Sequence, residues 1–170
     1  MPEVEVWTVN PFRPAEDGGR LKQLGINFGA AGTRRAEDGT VWLEYPPVAS
    51  EEFPIGIEVD GDSPRYTRRH STSQEGDLSW VKASCLTDFS SITIDGGKDQ
   101  SDGRFDVRLF FAESVPSDAV LLQGNLAATV NERQLGFEDV EFADGKLRID
   151  VQREDPDTQL RLSGIELKRK

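Results

Sequence analysis

Apolar and polar residues alternate with a period of two over most of the chain, and the clearest run is Arg104–Phe111, RFDVRLFF. Phe105, Val107, Leu109 and Phe111 fall on one side and Arg104, Asp106 and Arg108 on the other, which predicts a strand with one face in a core. Shorter runs of the same kind predict strands at Val4–Val9, Gln23–Phe28, Thr40–Leu43, Ile55–Val59, Leu78–Ser84 and Ser90–Ile94. Beyond the central run they continue at Val120–Gln123, Ala127–Val130, Gly136–Phe142, Lys146–Gln152 and Gln159–Leu167. No segment carries the longer period of an extended helix. So many short strands predict an all-β protein of two packed sheets, a jelly roll or β-sandwich.

Turn chemistry separates the runs. Asp-Gly pairs stand at 17–18, 38–39, 60–61, 95–96, 102–103 and 144–145, where positive φ is tolerated. Ala143-Asp144-Gly145 joins two alternating runs and reads as a tight hairpin. The Pro-rich polar stretches 10–20, NPFRPAEDGGR, and 44–54, EYPPVASEEFP, read as surface loops. Residues 1–22 are therefore expected to form an N-terminal strand and linker leading into one sandwich domain at 23–170.

Composition then narrows the function. A chain of 170 residues can bury a substantial core without staples. Its 31 acidic against 20 basic residues give a net charge of −11, which disfavours phosphate backbones and anionic membranes and suits a neutral ligand. MPEVEVWTVNPF has neither the basic nor the apolar region of a signal peptide, and no apolar run is long enough for a membrane helix. The single cysteine, Cys85, lies between apolar neighbours in WVKASCLTDF and reads as a buried, inert thiol.

Several segments, in order, resemble the malectin-like carbohydrate-binding family from about Gly25 onward. They are LGINFGAAGTRRAEDGTVWLEY, YTRRH at 66–70 with LSWVKAS at 78–84, RFDVRLFFAE, DGKLRIDV and EDPDTQLRLSGIEL. RFDVRLFFAE is similar to that family's strand motif at Val107, Leu109, Phe111, Ala112 and Glu113. YTRRH and LSWVKAS resemble its aromatic-rich strand pair. The resemblance implies a galactose-binding-domain-like β-sandwich that needs no cofactor and binds a neutral oligosaccharide at loops on one end. There, aromatic faces would pack on sugar rings while carboxylates and amides take hydroxyls. It also implies an appended module of a larger, extracytoplasmic bacterial protein, periplasmic or secreted, with that protein's other domains as partners.

Carried over position by position, the resemblance puts His70 where the family has a ligand-contacting Tyr, and Asp155 on its late Asp. The family's aromatic pair after the strand motif is replaced by Ser114-Val115-Pro116, with Tyr45 and Trp42 as substitutes from the preceding loop. Each candidate also has a plainer role. Trp42 alternates with Val41 and Leu43 and can be core. Tyr45, before Pro46-Pro47, suits a loop platform. Tyr66 and His70 lie in SPRYTRRH, the locally basic stretch, which also reads as a solvated strand edge. Glu113, a candidate to accept sugar hydroxyls, can instead pair with an Arg or with backbone N–H groups, Asp155 can start a turn, and Trp80 alternates with Leu78 as a core residue would.

Catalysis and metal binding find less support. One His and one Cys do not supply a zinc site or a Cys-His pair, and no nucleophile elbow accompanies His70. The run from Asp95 to Gly103 offers hard oxygens but lacks the spacing and closing Glu of an EF-hand, so it reads as a solvated hairpin. Two non-catalytic readings remain, a carbohydrate-binding module and an adaptor domain that docks on its parent protein. The first should show aromatics around a concavity, and the second a flat apolar patch.

Overall fold

The run RFDVRLFF sits one strand in from the edge of the larger of two sheets, where each of its faces packs against something different. The structure, a computed structural model, describes residues 15–17, 20–47, 55–68, 78–97 and 103–170. Strands in chain order are β1 (Ala15–Asp17), β2 (Arg20–Phe28), β3 (Arg34–Arg35), β4 (Val41–Tyr45), β5 (Gly56–Asp60) and β6 (Arg65–Arg68). A short helix, α1 (Ser79–Lys82), precedes β7 (Ser84–Thr87), β8 (Ser91–Asp95), β9 (Arg104–Phe111) and β10 (Val115–Leu122). The chain closes with β11 (Leu126–Val130), β12 (Gln134–Glu141), β13 (Lys146–Arg153) and β14 (Leu162–Arg169).

The larger sheet runs β12-β9-β14-β2-β4-β3, with β1 on β2 and the β6–β7 pair joined to β14. The smaller runs β11-β10-β13-β8-β5. All pairings are antiparallel except β2 with β4. Between the sheets, Leu24, Ile26 and Phe28 of β2, Val107, Leu109 and Phe111 of β9, and Ile165 and Leu167 of β14 meet Ile92, Ile94, Val120, Leu122, Leu147 and Ile149. The alternating residues of each strand thus form the core of an all-β sandwich.

Four local expectations need correction. LSWVKAS does not form one strand: Leu78–Lys82 turns through the one-turn helix α1, and only Ser84 enters β7. An extended chain would send Trp80 and Val81 to opposite faces, whereas the turn lets both pack against the same aromatic group. YTR of YTRRH does form a strand, β6, but its partner is β7. Within the stretch read as a loop, Ala15–Asp17 pairs with β2 by backbone hydrogen bonds that leave no apolar pattern. Finally, Ala143-Asp144-Gly145 makes a tight turn with Asp144 and Gly145 at φ 52° and 76°, closed by reciprocal 2.9 Å bonds between Ala143 and Lys146. Yet β12 pairs with β9 and β13 with β8 and β10, so the turn is a corner between sheets. Gln123 pins that corner, donating to the carbonyls of Glu141 and Lys146 at 2.8 and 2.9 Å.

Candidate ligand-binding cleft

The outer face of the larger sheet carries its own apolar group. Trp42, leaving β4 on that side, lies flat across Gly25 of β2 and Gly164 of β14; a Cβ at these positions would come within 2.2 and 2.8 Å of the indole. Glycine there is a matter of space. Phe110 meets the ring edge-on at 5.4 Å and Trp80 at 6.0 Å, and Val81 completes the group. This arrangement explains why RFDVRLFF ends on two adjacent apolar residues: Phe111 belongs to the inter-sheet core and Phe110 to the outer group.

Beside this group opens a cleft of about 650 Å³, within the range of roughly 300–1,000 Å³ usual for small-molecule sites. Trp80, half-buried, forms an aromatic wall. Asn27 at the end of β2 and Ser84 at the start of β7 supply amide and hydroxyl groups, linked to each other at 3.2 Å. The buried Asn27 amide is also within 3.2 Å of the carbonyls of Val81 and Ser163, so it is held by three segments. The opposite wall is the chain from Ala30 to Arg34, nearly devoid of bulky apolar side chains. Arg34 and Arg68 complete the lining: the Arg34 guanidinium lies 4.8 Å over the Trp80 ring, and Arg68 donates through Nε and Nη2 to the Gly29 carbonyl at 3.4 and 3.1 Å.

Farther along the outer face, charges are paired. Glu166, 2% exposed, accepts from Thr40 at 3.0 Å and holds Arg108 at 2.7 Å. Lys168 reaches Asp38 at 2.8 Å. Partial burial alone would raise the Asp38 pKa; hydrogen bonds from Lys168 and Thr40, with the charge of Lys168, outweigh it and hold the value at about 2.

The residues expected from sequence are dispersed. Trp42 is 1% exposed, so it supports Trp80 and does not itself line the cleft; its Nε1 has no hydrogen-bond partner among the described residues. Tyr45 and Tyr66 come together, with rings edge-to-face at 6.2 Å and Phe28 behind Tyr45 at 5.9 Å, and the Tyr45 hydroxyl donates to the Ile57 carbonyl at 3.3 Å. Burial raises the Tyr45 pKa, and burial with the charge of Tyr45 pushes Tyr66 up to about 12. Glu113 pairs with Arg161 at 3.5 Å. Asp155 initiates a turn, accepting from the Asp157 N–H at 2.9 Å and, through its carbonyl, from the Thr158 hydroxyl at 2.9 Å. His70 lies outside the described residues. Cys85 is buried and its thiol sits 3.1 Å from the Thr67 hydroxyl. Among the described residues no cluster of carboxylate, imidazole or thiol groups has the make-up of a metal site.

Asn27, Arg34, Arg68, Trp80 and Ser84 were not singled out from the sequence as a set. The usable signal was the small-residue run Gly29-Ala30-Ala31-Gly32 directly after a strand ending in Asn-Phe, which cannot pack as core and so leaves space.

No family model and no curated protein sequence matches the chain. Solved structures do match in fold. A calcium-binding mutant of Bacteroides uniformis β-glucuronidase 2 aligns with a TM-score of 0.61 at 12% identity, over 87% of this chain and 18% of the enzyme. The Arabidopsis thaliana ANX2 ectodomain aligns at 0.58 and 14% identity, over 87% of this chain and 42% of the ectodomain. The protein YXIM of Bacillus subtilis aligns at 0.53 and 14% identity, over 88% of this chain and 40% of that one. This chain therefore spans less than half of each of them and shares with them an all-β, two-sheet sandwich.

Proposed function

We propose that the chain is a non-catalytic carbohydrate-binding module, part of a larger extracytoplasmic protein, whose site is the cleft walled by Trp80. The observation that carries the reading is the combination of an indole face with the Asn27 amide, the Ser84 hydroxyl and two guanidinium groups around one concavity. A pyranose presents an apolar C–H face ringed by hydroxyls, and these groups complement both parts. Among the described residues, Tyr66 is the one large hydrophobic side chain that is exposed, so they offer no flat apolar docking patch to support the adaptor reading. The β-glucuronidase and ectodomain neighbours are in keeping with an appended sugar module, at the level of fold.

A glycan array probed with the native chain and with Trp80→Ala tests the proposal. Saturable binding that the folded variant loses is expected, with Tyr66→Ala binding as the native chain does. A blank array with well-folded protein would favour the adaptor reading.

A further inference from the structure

Net charge suggested a neutral ligand, but a ligand meets only the charges near it. At physiological salt the screening length is about 8 Å, so the field inside a cleft is set by its own lining. On this acidic surface many cations are neutralised: Arg65, Arg104, Arg108, Arg148, Arg161 and Lys168 each hold a carboxylate within 4 Å. Among the described residues, the cleft lining contains Arg34 and Arg68 and no acidic residue. Among the described residues neither guanidinium has a carboxylate partner.

Both are nonetheless held in place. Arg34 stacks on Trp80, and Arg68 uses two of its five N–H donors on the Gly29 carbonyl, which leaves the others for a ligand. Two oriented guanidinium groups beside an aromatic wall lose little side-chain freedom on binding and suit a planar or tetrahedral oxyanion. A long polyanion such as nucleic acid would still be repelled by the surrounding surface of a −11 chain, whereas a compact anionic group on a sugar enters only the local field.

Resting on the saccharide reading of this cleft, we infer that its ligand is an anionic saccharide, whose carboxylate or sulfate ester is bound by Arg34 and Arg68. The ring lies against the part of the Trp80 indole that Arg34 leaves uncovered, beside Asn27 and Ser84.

The test is a calorimetric titration with β-1,4-linked glucose-configured trisaccharides that differ only at C6: the alcohol, the carboxylate, its methyl ester and the sulfate ester. The two anionic forms are expected to bind about tenfold or more tighter than the neutral pair. That advantage should shrink as sodium chloride is raised from about 0.05 to about 0.5 M. Arg34→Gln and Arg68→Gln should each reduce the ratio of anionic to neutral affinity, and Arg68→Lys should retain part of it. The preference between carboxylate and sulfate identifies the oxyanion. Equal binding of all forms, insensitive to salt and to both substitutions, would overturn the anionic class and leave the saccharide reading standing. Absence of binding by all four, together with a blank glycan array, would remove the saccharide reading and this inference with it.

Discussion

The larger sheet supports two apolar assemblies, one on each face, and they are built differently. The inner one recruits residues from both sheets at alternating positions, and Leu24, Ile26, Val107, Leu109, Phe111, Ile165 and Leu167 are buried essentially completely. The outer one is a handful of rings, Trp42, Phe110 and Trp80 with Val81, lodged where Gly25 and Gly164 clear a flat bed. The inner assembly closes on itself and has nothing left to offer a ligand. The outer one ends in a half-buried indole with open space beside it, so a small aromatic group backed by a rigid sheet forms the wall of a cleft.

If that division is right, truncation inside the sandwich should cost most. Phe111→Ala removes a fully buried ring and is expected to lose about 3–5 kcal/mol in chemical denaturation. Next comes the glycine bed: Gly25→Ala drives a methyl group into the Trp42 ring and should cost about 1–3 kcal/mol. Its signature is rescue, since adding Trp42→Ala should make the glycine substitution much less harmful than it is alone. Trp80→Ala, at the open end, should lose about 1–2 kcal/mol, from one edge-to-face contact and partial burial, while abolishing ligand binding.

The smallest effect is electrostatic and lies at the tyrosine pair, away from the cleft lining. The Tyr66 phenol is held neutral up to about 12, against an ordinary value of 10.0. Its contribution to stability is therefore fully present below about pH 10 and is lost as pH rises from there toward 12. Because Tyr66 is 37% exposed, screening keeps that contribution under about 1 kcal/mol. Ultraviolet titration should show both tyrosines ionising late, with Tyr66 moved to lower pH by Tyr45→Phe, which removes a neighbouring charge.

The elements legible in the sequence were those whose residues report their own environment. β9 was read with its observed bounds, because each side chain records the face it occupies. The turn at Asp144-Gly145 was legible from local chemistry, but the separation of its two strands into different sheets depends on partners distant in sequence. β1 and β6 stayed hidden or mispaired, since strands made by backbone bonding with exposed or polar side chains carry no alternating signal. The cleft was illegible as a set for a related reason: residues 27–34, Arg68 and 80–84 meet only after β2, β7 and β14 have paired. Trp42 and Trp80 look alike in sequence, each one residue from apolar neighbours, and only the glycine bed beneath Trp42 decides which is covered.

In the proposed site Trp80, and not Trp42, faces the ligand. The most direct test follows the indole N–H signals of nitrogen-labelled protein as an oligosaccharide found on the array is added, with Trp7→Phe and Trp80→Phe used for assignment. The Trp80 signal should shift saturably while that of Trp42, buried among rings, stays put and exchanges slowly with solvent. Saturable binding that leaves Trp80 unmoved would contradict the claim and place the site elsewhere on the sandwich.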